Sequence, residues 1–332
     1  MTKLKDIANA TGFSITTISR VLNNDQTFSV SEETKLAILS AAEKLNYRGL
    51  AWRIQPTLTE KSQRKIGLAY WHSVANEIND PYYLSIRLAI QEYCSLHQIE
   101  LKLYYLLENH HDEIKEAELD GLIALGKFSG AEIEQLRMLS PHFILVDSYS
   151  KHPEIDVVVV DLENATNHVI EHLNSMGIFE IGFIGGIDST LDDKVFLDDL
   201  RLKTFLSYEK ANHDTIYQGE INADTGYEIM SNIIRNNHLQ PAYIIISDTI
   251  AIGCLRALNE HKIKVPDEVS IISYNNISLS QYTIPTLTTV DLNTYHLGVT
   301  AVETLCERIK TKRRLAKKIF IATELIKRES SV

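Results

Sequence analysis

TKLKDIANATGFSITTISRVLN, residues 2–23, reads as two short helices joined by a tight turn, with one face directed outward rather than into a core. Leu4, Ile7 and Ala8 recur at helical spacing, Gly12 supplies the left-handed residue that ends the first helix, and Ser14 caps the second. Ile18, Val21 and Leu22 form the inner stripe of that second helix. Its other face carries Ile15, Thr16, Ser19, Arg20 and Asn23, with Thr16 and Arg20 one turn apart and pointing the same way. Such a short, polar, singly basic face has the size of a DNA major groove. A helical hairpin with a solvated face would show the same spacing.

A third helix follows, capped by Ser31 with Glu32 and Glu33 in its first turn, and Thr34, Ile38, Ala41, Ala42 and Leu45 repeat along one side. Three helices around a small core make a head over residues 1–47. Residues 48–64 are polar and contain Pro56, and they read as a linker with room for one short helix near Leu50–Gln55. The chain has 332 residues, 44% of them hydrophobic, which is a globular composition long enough for two or three domains. It has no apolar run of about 18 residues and no signal peptide, so a cytoplasmic location is expected. Cys94, Cys254 and Cys306 lie far apart in apolar segments and read as buried, reduced thiols.

A net charge of −11 argues against nucleic acid until its distribution is considered. Residues 1–59 hold seven Lys/Arg and five Asp/Glu, which leaves −13 for the rest of the chain. A weakly basic head can bind DNA while an acidic body repels nonspecific contact.

From Ile66 the texture changes to short apolar runs alternating with helical segments. Strands are expected at 66–70, 99–105, 121–125, 142–147, 157–161, 181–186, 243–247 and 269–274, with late segments at 287–292 and 318–328 crossing back. Runs buried on both faces and separated by helices imply parallel sheets of doubly wound type. Eight strands in this length imply two sheets, with the break near Asp161. The body, 65–332, then comprises one subdomain of about 65–161 and 293–317 and another of about 162–290 and 318–332.

Two such sheets face each other across a cleft at the carboxyl ends of their strands. The polar strand-end residues include Trp71, His72, Asp147, Asp188, Ser189, Ser247, Asp248, Asn275 and Asn276. Carboxylates and amides around an aromatic suit a neutral polyhydroxylated ligand, although any one of these carboxylates can equally cap a helix. IGFIGGID lacks the GxGxxG spacing of a dinucleotide loop and reads as a strand with a tight turn. Adjacent His110 and His111 diverge in direction and read as a solvated loop, and no nucleophile elbow is present. Neither catalysis, a metal nor a cofactor is expected.

The head TKLKDIANATGFSITTISRVLN with VSEETKLAILSAAEKLNY is similar to the DNA-binding domain of LacI/GalR-type bacterial repressors, and the resemblance runs through the strand ends to TELIKRES near the C-terminus. EINDPYYLSIR (77–87), FEIGFIGG (179–186) and SDTIAIGCLRALNE (247–260) most resemble the evolved β-galactosidase repressor and the galactose or lactose operon repressors. The resemblance implies a homodimer reading a pseudo-palindromic operator, with a body shaped like a periplasmic sugar-binding protein. Ile15, Thr16 and Arg20 fall on its base-reading positions, and Thr2, Ser14, Ser19, Asn23, Ser31 and Thr34 on positions that hold phosphates. Its hinge helix would place Arg53 and Ile54 or Leu50 at the minor groove, but the linker is one residue short and Gln55 stands where the family has leucine.

In the body, the resemblance puts Asp147, Arg201, Ser247, Asp248 and Asn275 at the effector, with Trp71 and Tyr282 as lining aromatics. Ser247 replaces a frequent asparagine there, and Asn275 a frequent aspartate. A sugar-controlled repressor of a galactose or lactose operon is therefore expected. The competing readings are a regulator with another effector (a different sugar, a sugar phosphate or a purine), a free sugar-binding protein, and an NAD-dependent enzyme.

Overall fold

In the computed structural model, residues 4–22, 30–31, 34, 38, 41, 64–78, 80–108, 111–189, 195–196 and 199–331 are described. The chain forms two compact units, residues 1–62 and 63–332. In the first, α1 (Leu4–Thr11) and α2 (Ile15–Leu22) are separated by Gly12 at φ +74°, whose N–H donates to the Ala8 carbonyl at 2.8 Å. A side chain is strained at that φ, which is why glycine occupies the turn. Ser14 Oγ accepts from the Thr17 N–H at 3.1 Å, the cap expected of it. Ile7, Ile18 and Ile38 are fully buried together, with Ala8, Phe13, Val21 and Ala41 packed around them. Thr34, Ile38 and Ala41 are helical, and the Ser31 hydroxyl accepts from the Thr34 N–H at 3.2 Å. The side chains of Leu4 and Leu22, together with Ala42, Leu45 and all of the expected linker except Arg64, lie outside the described residues.

The second unit contains two six-stranded sheets. The first is built from β1 (Lys65–Tyr70), β2 (Glu100–Tyr105), β3 (Gly121–Leu125), β4 (Phe143–Val146), β5 (Asp156–Val160) and β13 (Lys318–Ile321), in the order β13-β5-β4-β3-β1-β2, all parallel. The second is built from β6 (Ile181–Gly186), β9 (Ile216–Gly219), β10 (Ala242–Ile245), β11 (Ser270–Tyr274), β12 (Thr288–Asp291) and β14 (Glu324–Ile326), in the order β14-β12-β11-β10-β6-β9. Only β14 runs antiparallel. Both halves share one plan, in which the strand order reverses between β1 and β3 and again between β6 and β10. Those reversals open the crevices in which doubly wound sheets take ligands.

The strands β1, β3, β4, β5, β6, β10 and β11 are buried almost throughout, as their unbroken apolar runs require. The helices cover the sheets with their apolar stripes. The longest, α11 (Thr294–Thr311), belongs to the first sheet and packs on α4 (Pro81–Leu96). In the second half, α9 (Ala223–Arg235) and α10 (Asp248–Glu260) meet backbone to backbone at Gly253, where a Cβ would stand 1.9 Å from the Ala223 carbonyl oxygen.

Several expectations need correction. Lys318–Ile321 was placed with the second subdomain but pairs with β5 in the first sheet, because its alternating residues extend that sheet's open edge. The run 318–328 is therefore two strands, divided at Ala322–Thr323. Ile216–Gly219 and the two-stranded ribbon Asp188–Ser189 with Val195–Phe196 were not anticipated, since their lengths and polar content give no periodic signal. His111 opens a helix, His111–Glu116, rather than lying in a loop, and Cys306 is only half-buried.

The chain passes between the halves at Asp161, at Leu292–Asn293 and at Ala322–Thr323. Asp161 caps α7 (Leu162–Ser175), and Asn293 Nδ2 donates to the Ala322 carbonyl at 2.9 Å, tying two of the crossings together.

Candidate functional site

The carboxyl ends of the two sheets face a cleft that is partly open to solvent. Each wall combines residues just after strands with residues of the helices that follow them. Asp80, Tyr82 and Tyr83 come from the segment after β1, Lys127 follows β3 and Asp147 follows β4; opposite them are Arg201, Ile246, Ser247, Thr249 and Asn275. Leu162 and Leu292, beside two of the crossings, complete the lining with Ile221.

On the first wall, Asp80 begins α4 by accepting from the N–H groups of Tyr82 (3.1 Å) and Tyr83 (3.3 Å), and Pro81 at the first helical position needs no acceptor. That cap aims both tyrosines at Asp147. The Asp147 carboxylate accepts from the Tyr82 hydroxyl at 3.0 Å, the Tyr83 hydroxyl at 2.6 Å and the Lys127 ammonium at 2.6 Å. Lys127 also donates to the Asp147 carbonyl at 2.7 Å, across a backbone held at φ +62°. Burial and the Asp147 charge hold the Tyr82 phenol well above its ordinary value, so it remains a donor.

On the second wall, Arg201 in α8 (Leu200–Ser207) forks onto Asp199, with Nε at 3.0 Å from Oδ1 and Nη2 at 2.8 Å from Oδ2. Its Nη1 donates to the Ile246 carbonyl at 2.8 Å, and the guanidinium lies 5.6 Å from the Tyr274 ring centroid. Burial pushes the Asp199 carboxyl up, but Arg201 outweighs that and holds it below its ordinary value. Ser247 caps α10 by accepting from the Thr249 N–H at 3.2 Å. Asn275 stands at φ +106° with its N–H on the Val290 carbonyl at 2.9 Å.

Of the seven expected effector residues, the fold brings Asp147, Arg201, Ser247 and Asn275 to the cleft. Asp248, Trp71 and Tyr282 do not line it. Asp248 is fully buried behind the wall and accepts from Thr289 Oγ1 (2.6 Å), the Ile277 N–H (2.8 Å) and the Ser273 hydroxyl, because a residue directly after a cap points into its own sheet. Burial pushes its carboxyl up to about 6 against these donors. Trp71 is 7% exposed and packs between His72, Tyr83 and Gly126, so its surface is spent on the core. Tyr282 is 74% exposed on a surface turn.

Tyr82, Tyr83 and Lys127 were missed. The segment Asn79-Asp80-Pro81 carries a helix-start signal that would have located the tyrosines at a strand end. Nothing local marks Lys127, whose partner is 20 residues away.

In the head, Ile15 (47% exposed), Thr16 and Arg20 are exposed on α2, and Ser19 is half-buried. Ser14 and Ser31 each cap a helix, and their hydroxyls also lie 2.9 Å and 2.8 Å from those of Thr17 and Thr34. Thr2, Asn23, Arg53 and Ile54 lie outside the described residues.

Residues 3–49 match the sequence profile described as bacterial regulatory proteins, lacI family, and residues 170–331 match that of the periplasmic binding protein-like domain. The HTH-type transcriptional regulator GanR of Bacillus subtilis (strain 168) is 37% identical over 337 residues, 99% of each chain. GalR of Lacticaseibacillus casei is 36% identical over 346 residues, covering both chains in full (100%). Among solved structures, the Lac repressor dimer bound to operator and the anti-inducer ONPF superposes with a TM-score of 0.72 at 22% identity, covering 100% of this chain and 99% of that one. The CelR–cellobiose complex superposes with a TM-score of 0.70 at 19% identity, covering 99% and 100%.

Proposed function

Because this chain belongs to the lacI family of bacterial regulatory proteins, we infer that it is a sequence-specific transcriptional repressor whose operator affinity is set by a sugar in the cleft of its body. The observation that carries the sugar is the pairing of charge in the cleft. Lys127 is matched by Asp147, and Arg201 by Asp199, so among the described residues the walls present hydroxyl, amide and guanidinium groups without an uncompensated cation that would call for an anion. A neutral polyhydroxylated ligand fits that lining, and a galactoside is the specific proposal. Asp147, Arg201, Ser247 and Asn275 are proposed to contact it, with Tyr82 and Lys127 added.

In the head, Arg20 is the base-reading cation and Ile15 the apolar surface for a thymine methyl. The exposed apolar side chains Leu279, Tyr282 and Ile284 support a homodimer, in which they would be covered by a second copy. Sugar binding favours one arrangement of the two subdomains over another, and the operator is released by the difference in affinity, typically about 1–3 kcal/mol. A cytoplasmic location follows from that role; among the described residues no helix is long and apolar enough to cross a membrane. The test is operator binding by the full chain with and without D-galactose and β-galactosides. Weakened binding with sugar is expected, and indifference to every galactose-containing sugar would overturn the effector.

A further inference from the structure

The body is acidic overall, yet one segment reverses that charge. Residues 308–318, RIKTKRRLAKK, hold seven Lys/Arg and no Asp/Glu. They form the end of α11 and the approach to β13. Four of the cations have internal work. Arg308 and Arg313 meet the fully buried Asp156 carboxylate at 3.1 and 2.9 Å, Lys317 pairs with Glu307 at 3.2 Å, and Lys318 donates to three carbonyls at 150, 152 and 155. The other three, Lys310, Lys312 and Arg314, are exposed, and their side chains make no hydrogen bond or ion pair with another described residue. A helix C-terminus is served by one or two cations in its last turn, and Arg308 and Lys310 already supply them. Lys312 and Arg314 exceed that need.

The place of this segment in the fold gives it meaning. All strands of the first sheet are parallel, so Lys65, Gly121, Asp156 and Lys318 start them at one edge, opposite the cleft. The described chain of the body begins there, at Arg64, whose carbonyl accepts from the Glu100 N–H. Arg64, the residue before β1, stands beside the Cys306 thiol of α11, about one helical turn before Lys310. The neighbouring His142 reports the local field: burial first, then Arg308 and Lys312, hold its imidazole below the ordinary value, against Asp120. Of the acidic groups at this edge, Asp156 and Glu307 pair with arginine and lysine and Asp120 accepts from the Lys65 N–H, while Glu100 at the start of β2 is exposed beside them.

We propose that Lys310, Lys312 and Arg314 form a second, sequence-independent contact with duplex DNA, through its phosphates. This rests on the reading of the chain as a DNA-binding repressor. An acidic body would otherwise be repelled by the duplex to which its linker tethers it, and a cationic edge removes that repulsion. Each phosphate neutralised releases counterions, so the contact shows in the salt dependence rather than in base preference.

The test compares the full-length wild type with a triple variant, Lys310→Gln, Lys312→Asn and Arg314→Gln, binding a random-sequence duplex by fluorescence anisotropy across a KCl titration. The replaced side chains are exposed, so an unchanged thermal midpoint is expected and shows that the variant folds. Three lost phosphate contacts lower the slope of log K against log[KCl] by about 2–3, and at moderate salt they weaken binding on the order of 100-fold. Arg20→Ala, by contrast, is expected to keep most of the slope on random DNA. A wild type that binds while the triple variant shows the same slope overturns the phosphate contact alone. A wild type that binds no duplex at any salt overturns the repressor reading and this inference with it.

Discussion

Lys127 and Asp147 meet at 2.6 Å at the ends of adjacent parallel strands, and the lysine also holds the aspartate's own carbonyl. Asp147 is 6% exposed, so its charge depends on that ammonium and on two tyrosine hydroxyls rather than on water. Replacing Lys127 by methionine leaves a buried carboxylate without its cation. A loss of about 3 kcal/mol is expected. Urea denaturation of the variant checks it, and a change below about 1 kcal/mol would show that the tyrosines suffice.

Asp248 makes stability depend on pH in an unusual direction. Its carboxyl is raised by burial from an unfolded value near 3.8 to about 6, so the folded state binds the proton more tightly than the unfolded one. Its contribution is therefore fully present below about pH 4 and lost as pH rises through about 6, a change of about 3 kcal/mol. Thermal midpoints of wild type and Asp248→Asn, measured from pH 4 to 7, are expected to diverge in that window, with the wild type falling relative to the variant. Parallel curves would mean that the three donors hold the charge more strongly than burial opposes it.

Arg201 makes three directed hydrogen bonds, two to Asp199 and one to the Ile246 carbonyl, and lines the cleft with the same planar group. Lysine keeps the charge but cannot fork. Arg201→Lys is expected to weaken D-galactose binding at least tenfold, about 1.4 kcal/mol, in calorimetric titration. Unchanged affinity would remove Arg201 from the ligand contacts.

Ile18 occupies a core in which, among the described residues, only Ile7 and Ile38 are also fully buried. Truncation to alanine is expected to cost the head about 2–4 kcal/mol and to abolish operator binding. Because the body has its own core, its melting transition is expected to stay in place in calorimetry. A variant that still binds operator with wild-type affinity would show the head to be far more stable than three isoleucines imply.

Much of this molecule is legible from residues near one another in the chain. The helix-turn-helix follows from the spacing of Ile7, Gly12, Ser14 and Ile18, each of which acts within a few residues of itself. Most of the eight principal strands follow from apolar runs such as Val157–Val160, because strands buried on both faces carry polar side chains only where a partner is at hand, as for Asp156. Asp147, Ser247 and Asn275 were reachable because strand ends in doubly wound sheets converge on one crevice, whereas Arg201, inside a helix, was reached only through the family resemblance. Asp248 was not separable from Ser247 in that way: adjacent residues at a helix start point in different directions, one to the cleft and one to Ser273 and Thr289.

The sequence by itself determined the local units: where helices start, which runs become strands, and where the charge reverses. Their partners were decided by tertiary structure. Lys318–Ile321 and Glu324–Ile326 have neighbouring positions yet join different sheets, and Tyr82 and Tyr83 reach Asp147 from more than 60 residues away. The physical reason is that hydrogen-bonding capacity and hydrophobicity are properties of a residue, whereas pairing is a property of the space that packing leaves around it. Packing made the Asp147 carboxylate, expected from the chain only as a cleft residue, the centre of a cluster with Tyr82, Tyr83 and Lys127.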